Sequence, residues 1–166
     1  MSALKKNIKL LITLFIILTF SLNLNSVYAA SGSSGNEKDQ TSLYKSGKKL
    51  VLKAKKLEKK DKIEKAQKLY LKALDKFEKA YAKDKKNADL LNYFGYALRK
   101  TGNFEKAEIY YLKGLELDTE HLGINEYLGE LYVETERMEL AKERLEVLKG
   151  CKCEEYDELK EIIEKN

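Results

Sequence analysis

The chain offers little chemistry beyond acids and bases. Its 166 residues include one histidine, His121, and two cysteines, Cys151 and Cys153, with no tryptophan and no proline. A lone imidazole can carry a proton. Nucleophilic catalysis, however, needs a base held against a Ser, Thr or Cys and oriented by a third group, and no such set is evident. There is no glycine-rich phosphate loop and no His-rich metal cluster. Carboxylates are abundant, but they read as the charged outer faces of helices. Pairs such as Glu154-Glu155 suit a helix N-terminus, where the macrodipole favours negative charge. No catalytic residue, no cofactor and no metal is therefore expected, and His121, between two helical segments, reads as structural or solvated.

The cysteines form the one unusual motif, Gly150-Cys151-Lys152-Cys153. Gly150 suits the left-handed conformation that ends a helix. A bridge between Cys151 and Cys153 would close a very small ring, compatible with a turn but not with a regular helix. Three readings stay open. The pair forms an intramolecular disulfide, or it stays as free thiols or intermolecular bonds, or it serves thiol–disulfide exchange or metal binding. The last lacks the further ligands that zinc requires.

The elements that must position these residues are helices. Ala88 to Lys100 places Leu91, Phe94, Gly95 and Leu98 on one face, and Phe104 to Leu117 places Phe104, Ala107, Tyr111 and Gly114 on one face. Both follow the period of an amphipathic helix. Thr101-Gly102-Asn103 is the turn between them, and the small residues Gly95, Ala107 and Gly114 fall where two backbones would approach. The pattern then recurs at a spacing of ~34 residues: Leu128-Gly129 repeats Phe94-Gly95, Tyr132 repeats Leu98, Ala141 repeats Ala107, and Leu145 and Leu148 repeat Tyr111 and Gly114. Ala73, Phe77 and Ala80 match the second helix once more, one unit earlier. On these residues the sequence resembles the tetratricopeptide repeat (TPR) family, with Thr119 where that family's pattern ends in Pro. The resemblance implies an all-α, TPR-like array of helical hairpins.

Taken in order, residues 1–29 read as a secretory signal peptide: Lys5, Lys6 and Lys9 precede an apolar run from Leu10 to Phe20, and Val27-Tyr28-Ala29 supplies a cleavage site. That segment holds three lysines and no acid, so the formal charge falls from +5 to about +2 without it, and nucleic acid is not an expected partner. Residues 30–42 read as a flexible Gly/Ser-rich linker. Residues 43–87 form a divergent first helix pair lacking the Leu-Gly pair and the glycine turn, with a capping box from Asp61 to Glu64 starting its second helix. Residues 88–121 and 122–153 are the two clear repeats, and residues 154–166 a capping helix with Tyr156, Leu159, Ile162 and Ile163 on one face. The lysines of the first pair, Lys48 to Lys62, read as a solvated face or, alternatively, as a basic patch for anionic lipid or an acidic partner.

The resemblance further implies that the first helices of each pair line a concave groove holding a peptide. Asn92, Tyr96 and Arg99 of the central repeat and Glu126 and Glu130 of the next are the partner-binding residues so implied. Family members that hold a terminal carboxylate use Lys, Asn and Arg there. Here Glu126, Glu130 and the side-chain-free Gly123 stand instead, so a chaperone tail is not expected. Arg99 is expected to make a cationic edge facing an anionic edge of Glu126 and Glu130. The expected function is a non-catalytic adaptor of the periplasm or cell envelope, binding a protein or peptide. The alternative is a thiol- or redox-linked envelope protein using Cys151 and Cys153. Membrane contact is expected only through residues 1–29 or the Lys-rich first pair.

Overall fold

A computed structural model describes residues 34–166, which form seven helices and, within that span, no strand. The expectations for residues 1–33 lie outside the described residues. The helices are α1 (Ser34–Glu58), α2 (Ile63–Lys83), α3 (Ala88–Lys100), α4 (Phe104–Leu115), α5 (Leu122–Glu134), α6 (Met138–Leu148) and α7 (Glu154–Glu164). They pair as α1/α2, α3/α4 and α5/α6, with α7 packed on α5 and α6. The all-α array of three hairpins and a closing helix is therefore as the repeat pattern implied. One boundary differs: α1 already begins at Ser34, so residues 34–42 continue the first helix and are not a linker. No helix among the described residues is long and apolar enough to cross a membrane.

Each hairpin is closed by the same backbone device. Asp61, Gly102 and Glu136 take left-handed φ values of 54°, 83° and 59°. In each turn that residue's amide donates to the carbonyl three residues back, and the next amide donates to the carbonyl five back. The pairs are Asp61 to Glu58 and Lys62 to Leu57, Gly102 to Arg99 and Asn103 to Leu98, and Glu136 to Val133 and Arg137 to Tyr132, at 2.7–3.0 Å. This double bond satisfies carbonyls that a helix end leaves open. The turn thus survives in the first and third hairpins without glycine. Asp61 is committed to it, and Lys62, the residue before α2, makes no side-chain cap; the expected capping box does not form.

Helix starts are fixed locally as well. Asn87 accepts a hydrogen bond from the Leu90 amide at 2.9 Å, and His121 Nδ1 accepts one from the Ile124 amide at 3.2 Å. Both satisfy amides that have no partner within the helix. The single histidine is thus the N-cap of α5.

Where the helices cross, glycine receives a large side chain. A Cβ on Gly95 would lie 2.5 Å from the Tyr111 ring, and one on Gly47 would lie 2.4 Å from the Phe77 ring. Gly47 therefore does in the first hairpin what Gly95 does in the second. In the third, Gly129 receives Leu159 of α7, which would be 2.5 Å from an added Cβ; Leu145, its counterpart by spacing, remains partly exposed. Phe77, Tyr111 and Leu159 are fully buried, each burial being worth roughly 1.5–3 kcal/mol or more.

The backbones of the first helices of successive hairpins, α1 with α3 and α3 with α5, approach closely, whereas those of α2, α4 and α6 lie farther apart and meet only through side chains such as Tyr81 and Tyr110. An array whose first helices are close and whose second helices are spread must curve with the first helices inside. Their exposed residues therefore form its concave face.

Glu136 should be replaceable with profit. Glu136→Gly removes a Cβ from a left-handed position and should raise stability by about 0.5–1 kcal/mol, the relief being partly offset by a freer unfolded chain. Gly102→Ala should lower it by a similar amount. Urea midpoints at constant m-value measure both.

Candidate functional site

The concave face is built from equivalent positions on α1, α3 and α5. Three residues before the crossing glycines Gly47, Gly95 and Gly129 stand Tyr44, Asn92 and Glu126; one residue after them stand Lys48, Tyr96 and Glu130. Charge along the second column therefore runs from positive, through an aromatic, to negative. The same face carries Tyr93 and Tyr127, which occupy matching places in the two clear repeats.

Cations and rings interleave at the α1 side. Lys48 Nζ stands 4.8 Å from the centre of the Tyr93 ring and 6.0 Å from that of Tyr44. Lys55 Nζ stands 5.3 Å from both the Tyr96 and the Tyr127 rings and donates to the Tyr127 hydroxyl at 3.2 Å. The electron-rich ring faces attract these ammonium groups. The other lysines of this stretch, Lys49, Lys53, Lys56, Lys59, Lys60 and Lys62, are exposed.

Arg99 is placed otherwise than expected. It is 4% exposed and forms ion pairs with Glu130, at 2.5 Å, and with Glu134. Burial disfavours its charge, but Glu130, then Tyr111 and Glu134, outweigh this and hold the guanidinium above its usual pKa. Tyr96 is packed too, 4% exposed, with its ring centre 4.6 Å from that of Tyr127 and 5.9 Å from that of Tyr70. Arg99 and Glu130 thus neutralise one another inside the array and are not two opposed edges. The cation that faces the groove is supplied by Lys48 and Lys55 of the first hairpin.

Glu126 is 3% exposed, and no donor reaches its Oε1. Glu126, Glu130 and Glu158 bring one carboxylate oxygen each within 4.8 Å of one another. Burial first, then a hydrogen bond shared with Glu158 and the negative charges of Glu130 and Glu158, push the Glu126 carboxyl up to about 10, against a smaller opposing pull from Lys55. Two carboxyls share a hydrogen bond only if one keeps its proton, so Glu126 and Glu158 hold one proton between them. Arg99 and that proton offset two of the triad's three negative charges.

Beside it, at the starts of α3, α5 and α7, lies a pocket of about 380 Å³. Asn92 and Glu126 are its buried lining, with Tyr93, Tyr127, Asp89, His121 and Glu155 around them. Asn92 is 5% exposed and its Oδ1 receives no hydrogen bond. Its amide fills the space that a Gly123 side chain would take: an added Cβ there would be 2.7 Å from Asn92 Nδ2. His121 Nε2 lies 3.5 Å from Asp89 Oδ1 at the pocket's edge.

The cysteines lie away from this face, in the turn between α6 and α7. Cys151 and Cys153 are joined by a disulfide, with Gly150 and Lys152 in left-handed conformations beside them.

Of the five residues expected to bind a partner, Asn92 and Glu126 come together at the pocket, while Tyr96, Arg99 and Glu130 are engaged with one another or with the core. Lys48, Lys55, Tyr93 and Tyr127 were not among those expected. Tyr93 and Tyr127 had a legible signal, the same aromatic type one repeat apart. For Lys55 there was none, because the first hairpin is longer than the others.

Fold and groove together define a curved repeat array of helical hairpins. Residues 51–120 match the family model for the tetratricopeptide repeat, and the helical array that contains them is TPR-like. It is similar to a tetratricopeptide repeat protein from Parabacteroides merdae (TM-score 0.52, 18% identity, 73% of this chain and 60% of that one). It also resembles the TPR domain of Arabidopsis OM64 (TM-score 0.51, 14% identity, 74% and 98%). The first TPR of Spaghetti (RPAP3), solved bound to the HSP90 peptide SRMEEVD, is similar as well (TM-score 0.50, 22% identity, 73% and 93%). At these identities the likeness is one of fold. None of the curated proteins matches the sequence.

Two substitutions test the buried charges. Arg99→Ala strands Glu130 and should cost about 3–5 kcal/mol, the usual penalty for halving a buried ion pair; chemical denaturation measures it. Glu130→Lys, which sets a second cation against Arg99, should destabilise the fold for the same reason. For Glu126 the folded pKa lies above its unfolded value near 4.5. Its contribution is therefore full below pH 4.5 and lost as pH rises toward 10. Glu126→Gln keeps the shape without the ionisation, so its stability relative to wild type should rise steadily from pH 5 to pH 9, within the window of that shift.

Proposed function

We propose that this protein is a non-catalytic interaction module that holds a segment of another polypeptide along its concave face. The observation that carries this reading is the row of Tyr44, Tyr93 and Tyr127 along that face, with Lys48 and Lys55 lying over its rings and the carboxyls of Asp89, Glu126 and Glu155 in the pocket beside Tyr93 and Tyr127. Aromatic residues give large contact area at low conformational cost, and charges of both signs beside them add specificity. The peptide-bound Spaghetti domain supports the use of this fold for binding a peptide. Its peptide carries three acids in its last four residues, Glu-Glu-Val-Asp. The acidic pocket of this groove disfavours such a ligand there.

We further propose that the module works in the periplasm or cell envelope. The pattern of residues 1–29 supports export, and the Cys151–Cys153 bond suits an oxidising compartment.

Peptides selected by display against the full chain provide the test. Lys48→Glu and Tyr93→Ala should each weaken a selected peptide by about tenfold or more at unchanged melting temperature, while Cys151→Ser/Cys153→Ser should bind normally. If the groove variants bind normally and reversal of Lys53, Lys56 and Lys60 abolishes binding, the outer lysine face is the working surface. Loss of binding in the double Ser variant would favour the thiol-linked alternative. Protein recovered from cells with Met1 intact would overturn the export proposal.

A further inference from the structure

The pocket at the starts of α3, α5 and α7 has an excess of hydrogen-bond acceptors. Five carboxylates line it, from Asp89, Asp118, Glu120, Glu126 and Glu155, and no lysine or arginine does. Two acceptors on its buried lining lack donors: Asn92 Oδ1 and Glu126 Oε1, on side chains 5% and 3% exposed. They come from different helices, α3 and α5. A buried acceptor without a donor costs free energy, so a ligand that brings N–H groups gains more here than at an open surface. Lys48 and Lys55 reach the rings of Tyr93 and Tyr127 but do not line the pocket, so they leave its acceptors unmet.

We propose that this pocket binds the guanidinium of an arginine side chain carried by the partner. A guanidinium is planar, always charged and offers five N–H donors in a fixed fork. It can therefore serve Asn92, Glu126 and an outer carboxylate such as Asp89 at once, and its faces suit the tyrosine rings. A lysine ammonium is a compact charge with fewer donors, more strongly hydrated. A volume of about 380 Å³ falls within the usual range for a small ligand site. On binding, the proton shared by Glu126 and Glu158 is displaced to solvent and the Glu126 carboxylate pairs with the guanidinium. The triad of Glu126, Glu130 and Glu158, already served by Arg99, gains a second cation. The groups facing Glu126 in that exchange are Lys55 of α1, Glu130 of α5 and Glu158 of α7.

This inference rests on the groove reading, and its test separates the two. Capped Gly-Arg-Gly is titrated into the full chain and followed by amide chemical shifts, beside Gly-Lys-Gly, Gly-citrulline-Gly and Gly-Glu-Gly. The arginine peptide should give saturable shifts centred on residues 89–93 and 121–127. Citrulline and glutamate peptides should give none, and the lysine peptide should bind more weakly than the arginine one. Asp89→Asn, at an exposed site, should weaken the arginine peptide by about two- to fivefold. Glu126→Gln should weaken it by about tenfold or more. Citrulline binding as well as arginine, lysine binding equally tightly, or shifts centred elsewhere would each overturn the proposal. If the pocket fails while display-selected peptides still depend on Lys48 and Tyr93, the groove stands without it. If both fail, the groove reading falls too.

Discussion

Everything else in this fold depends on how closely two helices in a hairpin can approach. At Gly47 and Gly95 the partner helix inserts an aromatic ring against bare backbone, and at Gly129 α7 inserts Leu159. A methyl group at any of these places would sit 2.4–2.5 Å from a buried side chain, which no packed interior tolerates without displacement. The approach fixes the crossing of each pair. It also sets the separation of the first helices, and through that the curvature that makes one face concave. The substitution of Leu159 for Leu145 at the third notch has a structural consequence. The last hairpin is completed only by α7, so α7 is part of the array's core and brings Glu155 and Glu158 to the inner face.

With the backbone so constrained, polar residues on the inner face are trapped at close range, and the structure resolves each in a different way. Arg99 is buried, and burial by itself would make its charge costly. Glu130 and Glu134 from the next repeat make it tolerable, and in doing so they bind the second repeat to the third. Lys48 and Lys55 place their ammonium groups over tyrosine rings. Glu126 is buried with no ion-pair partner of its own, since Arg99 is taken up by Glu130 and Glu134, and so it shares a proton with Glu158. The three solutions occupy successive stretches of one face, and only the last leaves acceptors without donors.

The hairpins were legible in the sequence because their constraints are local and periodic. The apolar spacing, the glycine at each crossing and the small residues on second helices recur with the repeat, so helix boundaries from α3 onward fall within a few residues of expectation. The first hairpin was harder to read. Gly47 and Phe77 make the same contact as Gly95 and Tyr111, but they are separated by more chain, so a fixed offset misses them. Its turn uses Asp61 in place of glycine, which hid the motif and suggested a helix cap instead. The site was legible only as a set of positions. Spacing correctly put Asn92, Tyr96, Arg99, Glu126 and Glu130 on the inner helices. It could not tell which of them reach solvent, because that depends on the longer first hairpin and on α7, neither of which follows the repeat.

The difference between the two kinds of position explains how one architecture can serve a particular partner. Crossing positions must accommodate the neighbouring helix, so glycine recurs there whatever the array binds. Inner-face positions face no such demand: the column of Lys48, Tyr96 and Glu130 changes charge at every repeat without disturbing the packing behind it. Such variation is expensive only where a polar group is buried unpaired, and at the pocket that expense is accepted at Asn92 Oδ1 and Glu126 Oε1. Packing alone would be served as well by apolar residues of similar size, as buried ion pairs elsewhere show. Two unmet acceptors beside a ring of carboxylates therefore have their simplest physical account in a ligand that supplies the missing donors.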